Sequence, residues 1–242
     1  MAKSEFRQQV EDAIQQRHSK VHPWSEAWGA GRLNRHLLGE WTKQHYHFVD
    51  PTVRMYGHIL SNCDDDDARA LIVESLNEEE GITGTADFAP ARHADLLLDF
   101  GEHCGLKRED IKNADVNGEI LPETLGLQSW AFRQSHRPWL YALATIFVGL
   151  ESQVPQIYAK TTPPLIEKYG FTDDEVLFFR LHIVADTEHG ERGYEILEKH
   201  ATTSEIKAKC LHLIRQATMM RRLYLDGLYR KYLAAPQAQA AE

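Results

Sequence analysis

Hydrophobic residues recur at intervals of three and four positions along almost the whole chain, and runs that alternate apolar with polar residues are hard to find. The first pattern places residues on one face of an α-helix, whereas strict alternation would indicate a strand. The sequence therefore predicts an all-α fold. The predicted helical segments cover residues 4–19, 22–30, 33–62, 68–80, 91–104, a short helix within 107–126, 127–135, 138–160, 172–200 and 204–233.

Prolines and aspartates predict where several of these helices bend, stop or begin. Pro51 is expected to kink or split the third segment, because proline removes a backbone hydrogen bond and crowds the preceding turn. Pro163 and Pro164 are expected to end the helix that precedes them. The four aspartates 64–67 are expected to cap the helix that follows them, since carboxylates at a helix N-terminus complement its dipole.

No internal repeat or linker divides the chain. We therefore expect one helical-bundle domain over residues 1–233, followed by a disordered Ala- and Gln-rich tail at 234–242. The composition agrees with a globular domain, since 43% of the 242 residues are hydrophobic and 26% are charged.

Charge and cysteine content exclude several classes of protein. The chain has 27 Lys plus Arg against 36 Asp plus Glu, a formal net charge of −9, which disfavours nucleic acid and anionic membranes as partners. The longest apolar run, 140–150, is too short to span a bilayer, and the N-terminus has no apolar signal core, so we expect a cytoplasmic protein. Three widely spaced cysteines, Cys63, Cys104 and Cys210, argue against a disulfide framework.

Histidine is the one unusual count, at 13 residues, and the segment HIVADTEH at 182–189 is the most informative place where it occurs. Spacings of four and three put His182, Asp186 and His189 on one stripe of a helix. The stripe is apolar on both sides of this motif, so it should face the core. Burying ionisable side chains there is costly unless they are paired or bind a metal. Two imidazoles and a carboxylate are ligands that suit iron, manganese or zinc.

Two further helices direct acidic side chains towards the same core. Glu151 is in phase with the apolar stripe of its helix, and the stripe of the segment beginning at 68 leads to Glu79 or Glu80, while Glu78 falls off it. His93 lies beside apolar residues after the following loop and is expected to point the same way. Three carboxylates and three imidazoles from these helices suit two divalent ions.

At these residues the sequence resembles the heme-oxygenase-like diiron oxidases and oxygenases, a group with the TenA/PqqC-like fold, and most closely the branch of the chlamydial protein associating with death domains. The resemblance covers about residues 6–230 and rests on 68–80 followed by HADL at 93–96, ESQVP at 151–155 and HxxxDxxH at 182–189. It implies a seven-helix up-and-down bundle. It also selects Glu79 among three consecutive glutamates and implies six iron ligands: Glu79, His93, Glu151, His182, Asp186 and His189.

The resemblance implies an enzyme in which a diiron centre reacts with O2 as co-substrate to oxidise a small organic molecule, such as an amino-acid-like compound, an amine or a carboxylate. Manganese also suits the ligand set, and Glu79, Glu151 and Asp186 are the expected catalytic carboxylates. Because no P-loop and no GxGxxG motif indicates a second coenzyme, electrons are expected from an external reductant or from the substrate. The chain is expected to form a homodimer.

Alternatives remain open at this point. The chlamydial branch is expected to consume one of its own tyrosines to make p-aminobenzoate, and Ser25 stands where that tyrosine is expected. A cofactorless PqqC-like oxidase of a quinone precursor would not need Glu151 and His182. A TenA-like hydrolase would need a cysteine nucleophile in its pocket. A non-enzymatic helical interaction protein would expose a large apolar stripe.

Several other polar residues have a simpler interpretation. His45, His47 and His58 lie on the long segment 33–62 and are candidates to line a pocket, but surface or core histidines are the simpler interpretation. Arg221 and Arg222 are interpreted as part of a solvated helix face.

Overall fold

The computed structural model describes residues 3–234, and within this range all regular secondary structure is helical, which confirms the all-α prediction. The α-helices are α1 (Glu5–Gln15), α2 (Pro23–Gly29), α3 (Arg35–Val49), α4 (Thr52–Ser61), α5 (Asp66–Glu79), α6 (His93–His103), α7 (Arg108–Lys112), α8 (Pro122–Ser135), α9 (Trp139–Leu143), α10 (Val154–Glu167), α11 (Leu177–His200) and α12 (Ser204–Tyr229). A short 3₁₀ turn, Ser19–Val21, joins α1 to α2.

Polar side chains fix where several helices begin. The Ser4 hydroxyl accepts a hydrogen bond from the N–H of Arg7, and an Asp65 carboxylate oxygen accepts one from the N–H of Ala68. Such bonds satisfy backbone donors that have no partner at the free end of a helix. The predicted capping role of the aspartate run is therefore confirmed at Asp65.

Buried side chains from α1 to α12 form one continuous hydrophobic core. Helix α12 packs against α8 and against residues 144–150, while α10 packs against α11. Helix α11, which carries three of the predicted ligands, also packs against α5 and against the turn that contains Glu151. Within residues 3–234, no helix is both long enough and apolar enough to cross a membrane.

The helix predicted to begin at residue 138 departs from regular α-geometry. Helix α9 continues into a π-helical segment (Ala144–Leu150) and a 3₁₀ turn (Glu151–Gln153) before α10 begins. In the wide π-turn a carbonyl pairs with the N–H five residues ahead, and for Leu150 that residue is Pro155, which has no N–H. The Leu150 carbonyl instead accepts a hydrogen bond from Nη1 of Arg221 at 3.2 Å.

The prediction that Pro163 and Pro164 end this helix is wrong, because α10 continues through both to Glu167. The continuation buries Pro164 and Leu165, and apolar burial offsets the backbone hydrogen bonds that proline cannot make. Pro51 does separate α3 from α4, as predicted.

Two other helix starts also differ from prediction. Helix α8 begins at Pro122 rather than 127, since proline suits the first turn of a helix. Helix α11 begins at Leu177 rather than 172. Residues 172–175 form a separate turn in which Thr172 and Glu175 exchange side-chain to backbone hydrogen bonds.

A second π-helical segment, Arg230–Ala234, follows α12. The rest of the predicted tail, 235–242, lies outside the described residues, and the single-domain assignment of 1–233 stays a prediction.

The π-helical segment can lie this close to α12 only because residue 149 is glycine. A Cβ at Gly149 would meet the Cβ of Ala217 at 2.6 Å. We expect Gly149→Ala to lower the free energy of unfolding by about 1–3 kcal/mol, as overpacking does in a filled core. The measurement is urea unfolding of the metal-free protein.

Gly57→Ala is the matched control, because Gly57 lies within α4 and a Cβ there would meet nothing within 4 Å. Alanine should raise stability there by up to about 1 kcal/mol, through helix propensity alone. Equal unfolding midpoints for the two variants would show that the approach at Gly149 is not tight.

Candidate metal centre

The six residues predicted as ligands come together in two groups inside the bundle. Glu79 is the last residue of α5, His93 is the first of α6, and Glu151 follows the π-helical segment. The other three lie on α11. The first triad is Glu79, His93 and His182, and the second is Glu151, Asp186 and His189; within each triad the potential ligand atoms lie within 4.8 Å of one another.

Helix α11 supplies three of these side chains because its inward stripe carries them at successive turns. His182, Asp186 and His189 are each at most 7% exposed. The Nδ1 atom of His182 lies 2.7 Å from the carbonyl oxygen of Phe178, one turn earlier. A protonated Nδ1 donating to that carbonyl leaves the Nε2 lone pair free for a metal, an arrangement that fixes both tautomer and ring orientation.

A backbone bridge between Glu80 and Arg92 closes the loop that precedes His93 and so positions this residue. Glu80 and Arg92 form an isolated antiparallel bridge, and Nε of Arg92 also donates to the Glu80 carboxylate at 3.2 Å. Gly81 adopts φ +67°, and a Cβ there would lie 2.5 Å from the Arg92 nitrogen, so only glycine fits. As a result Nδ1 of His93 lies 3.3 Å from Oε2 of Glu79 despite the long intervening loop.

Glu151 is held from one side only. The Tyr56 hydroxyl donates to its Oε1 at 2.6 Å, while Oε2 is buried without a hydrogen-bond partner. Tyr56 itself is 2% exposed and was not singled out from the sequence, where it resembles any other core aromatic residue.

The apolar stripe of α5 does not include Glu78, but in the structure this residue belongs to the centre. Its side chain is buried, and its Oε2 lies 3.1 Å from Nε2 of His189. The off-stripe position faces α11, which packs against α5. A carboxylate against the second nitrogen of a metal-binding imidazole is a frequent arrangement, because it orients the ring and raises its basicity.

Two buried carboxylate oxygens in the centre have no hydrogen-bond partner among the described residues: Oε2 of Glu151 and Oδ2 of Asp186. Buried polar atoms are normally paired, and leaving one unpaired costs about 1–3 kcal/mol. Unpaired carboxylate oxygens that converge with imidazole nitrogens are what divalent transition metals bind. The residues present therefore fit a pair of such ions.

The electrostatics of the second triad are those of acids crowded together away from water. Burial raises the pKa of Glu151 to about 7, and burial together with the nearby Glu151 raises the pKa of Asp186 well above its usual value. Burial alone would lower the pKa of His189, but its contact with Glu78 and the charges of Asp186 and Glu151 raise it to about 9.

The first triad behaves differently. Burial and the neighbouring His93 lower the pKa of His182 to about 4, so this imidazole is neutral and ready to bind a metal. Burial would raise the pKa of Glu79, but the imidazoles of His93 and His182 lower it below its usual value.

Both triads line one cavity, through Glu79 and His182 of the first and Glu151 and Asp186 of the second. The cavity is small, with a volume of about 50 Å³. Its remaining lining is mainly apolar and aromatic: Phe48, Val49, Met55, Ile146, Leu150, Val154, Tyr158 and Phe178.

Arg221 and His45 also line the cavity, and the position of Arg221 contradicts its interpretation from the sequence. Arg221 is only 8% exposed and lines the cavity, so its assignment to a solvated face is wrong. It lies on the same face of α12 as buried Thr218 and Leu225, spacings that place it inward. His45 also lines the cavity, and its Nε2 lies 3.2 Å from the Tyr158 hydroxyl.

The chain is similar to proteins of known family and fold. The sequence profile of the iron-containing redox enzyme family matches residues 39–222. A protein from Nitrosomonas europaea named 4-aminobenzoate synthase is 32% identical, over 97% of this chain and 95% of its own length. A protein of the same name from Chlamydia muridarum is 25% identical, over 92% of this chain and 89% of its own.

The fold is shared with solved structures of low sequence identity. A TenA homologue from Pseudomonas syringae pv. tomato superposes with a TM-score of 0.79 at 14% identity, covering 93% of both chains. The fold class predicted from the sequence, heme-oxygenase-like and TenA/PqqC-like, is thereby confirmed, and so is the resemblance to the chlamydial branch. The chain belongs to the iron-containing redox enzyme family and is an iron-dependent oxidoreductase.

Proposed function

We propose that this protein is an O2-dependent oxidase or oxygenase that holds two iron ions, one at each triad, and acts on a small organic molecule supplied from outside the chain. The observation that carries the proposal is the pair of triads opening on a single, largely apolar cavity. The six ligands are Glu79, His93, Glu151, His182, Asp186 and His189. Manganese suits the same ligands, and an external reductant is part of the proposal.

Iron held in this way would supply the redox chemistry and the open coordination positions that O2 activation requires. The chain's own residues prepare the site. Tyr56 orients Glu151, the Phe178 carbonyl orients His182, and the apolar wall excludes water from the reacting substrate.

Charge balance supports two divalent ions rather than one. Two Fe(II) ions bring four positive charges against the three ligand carboxylates, and Glu78 adds a fourth negative charge next to His189. A near-neutral assembly is what an enclosed site tolerates, because isolated buried charge is costly.

Formation of 4-aminobenzoate by the protein itself is the second candidate, because the two relatives described above carry that name. Ser25 argues for an external substrate instead. It occupies the place where the resemblance leads one to expect the tyrosine, and it is 3% exposed beside a second cavity. The two candidates differ in what the iron-loaded protein does when no substrate is added.

The direct test is to expose the iron-loaded protein to O2 and a chemical reductant without substrate and to search for 4-aminobenzoate by mass spectrometry. We expect none to form, and we expect O2 consumption to rise when a substrate is supplied from a panel of amines, amino acids and carboxylates. Release of 4-aminobenzoate without substrate would establish the second candidate.

Iron content tests the ligand assignment. We expect about two Fe(II) per chain under anaerobic conditions, and loss of one ion or more in His93→Ala, which damages the first triad, and in Asp186→Ala, which damages the second. The Glu151→Ala, His182→Ala double variant removes a ligand from each triad and should lose nearly all iron. Iron per folded chain is measured by elemental analysis after gel filtration.

His212→Ala is the matched control, since His212 is exposed and belongs to neither triad. It should retain the full iron content. Full iron binding in the double variant would contradict the assignment, provided that its circular dichroism shows a folded protein.

Metal binding should release protons and strengthen with pH. In the metal-free protein His189, with a pKa of about 9, is protonated at pH 7, and Glu151, with a pKa of about 7, is half protonated. A metal must displace these protons, so the affinity for redox-stable Mn(II) should rise from pH 6 to 9, with release of roughly one to two protons per chain near neutrality.

Calorimetric titration in buffers of different ionisation enthalpy measures both quantities. Glu151→Ala should release fewer protons than the natural chain. Affinity that stays constant across this pH range would show that neither group binds the metal.

Glu78 should act through His189 rather than as a ligand. We expect Glu78→Gln to weaken metal binding by about 10- to 100-fold, as loss of such partners does, while saturating metal still gives two ions per chain. Glu74→Gln, one turn earlier on α5 and paired with Arg192, is the control and should leave the affinity unchanged. Loss of one whole ion in Glu78→Gln would identify Glu78 as a ligand instead.

A further inference from the structure

Arg221 is a buried cation without a matching anion. Its Nη1 donates to the Leu150 carbonyl, and within residues 3–234 the guanidinium forms no ion pair with an Asp or Glu. A guanidinium has five N–H donors in a planar fork that suits carboxylates. Most of these donors therefore have no protein partner, which is unusual for an arginine that is 8% exposed.

The side chain lies where two cavities adjoin. Arg221, His45 and Tyr158 line both the cavity that faces the triads and a second one behind it. The second cavity has a volume of about 30 Å³ and is walled by aromatic rings, with Ser25 as one small residue in the wall.

Other buried donors around the second cavity also lack partners. They are Nε1 of Trp24, Nε1 of Trp28 and the hydroxyl of Tyr224, all on residues at most 3% exposed, and Nδ1 of His45 has none either. Unpaired buried donors around a cation form an environment that favours an anion, since each is costly while it stays unpaired.

Charge points in the same direction. Glu151 and Asp186 are the carboxyl groups that act on Arg221 through space, and both are assigned above to the metal ions. Once divalent ions are bound to them, Arg221 would be excess positive charge in an enclosed space. A ligand with one negative charge restores neutrality, whereas a phosphate would bring nearly two charges to a single arginine.

We propose that Arg221 binds the carboxylate of a small aromatic monocarboxylate in the second cavity, with help from the Tyr224 hydroxyl. The rest of the molecule extends past His45 and Tyr158 towards the triads. This inference rests on the proposed function, because it names the substrate class for the same centre, and the following experiment lets the two fail separately.

Binding of benzoate, benzamide and benzylamine to the full-length protein is measured by calorimetry, with the chain either treated with a chelator or loaded with Mn(II). We expect benzoate to bind both forms, and neutral benzamide and cationic benzylamine to bind at least about 30-fold more weakly, as loss of a buried charge-assisted pair implies. Binding without metal would identify a site in the protein rather than on the ions.

Substitutions locate the site. Arg221→Met should weaken benzoate binding about 30-fold or more, and Arg221→Lys should recover part of the loss because it keeps the charge but not the fork. Tyr224→Phe removes only a hydroxyl that has no partner, so it should weaken benzoate by about three- to tenfold without lowering the unfolding temperature. Arg222→Met, the same change at the next residue, is the control and should bind benzoate normally.

Several outcomes would overturn the proposal for Arg221. Benzoate that binds only the Mn(II) form binds the metal and not Arg221, and equal affinity for benzamide shows an apolar site without a role for charge. Undetectable benzoate binding in both forms, or undiminished binding in Tyr224→Phe and Arg221→Lys, excludes the site even if Arg221→Met does not fold. A chain that binds no metal but binds benzoate through Arg221 would contradict the two-iron proposal alone.

Discussion

The arrangement of the bundle centres on the cost of placing several carboxylates together away from water. Burial raises the pKa of Glu151 to about 7, and burial together with the nearby Glu151 raises the pKa of Asp186 well above its usual value. In the metal-free protein these acids therefore hold protons near neutral pH that they would lose in water. The surrounding chain limits this cost with directed contacts. Tyr56 donates to Glu151, and Glu78 lies against His189. Glu151 and His189 are thus each held in place by a side chain of a neighbouring helix.

Backbone irregularity serves the same centre. The π-helical segment before Glu151 leaves carbonyl groups that regular helix bonds do not satisfy, and side chains from elsewhere bind them. Gln153 donates to the Gly149 carbonyl at 2.7 Å, and Arg221 donates to that of Leu150. One arginine on α12 therefore links the geometry of the Glu151 turn to the electrostatics of the cavity. Such π-helical turns occur frequently at functional sites.

Helical periodicity was sufficient to predict much of this molecule. The spacing of His182, Asp186 and His189, and the phase of Glu151, place these four side chains correctly because they share a face with core residues. Glu78 and Arg221 were missed for the opposite reason, since their partners lie on other helices and a single helix's pattern does not report them. The continuation of α10 through Pro163 and Pro164 was missed because local preference was outweighed by burial of the neighbouring Leu165.

The bridge between Glu80 and Arg92 has a consequence for how this part of the chain can evolve. Glu79 and His93 are the sequence neighbours of the two bridged residues. The bridge therefore sets the distance between Glu79 and His93, and the residues of the loop do not. The intervening surface loop can then gain or lose residues without moving either side chain, since loop length affects closure entropy only slowly. A segment of variable length is in this way compatible with a fixed chemical centre.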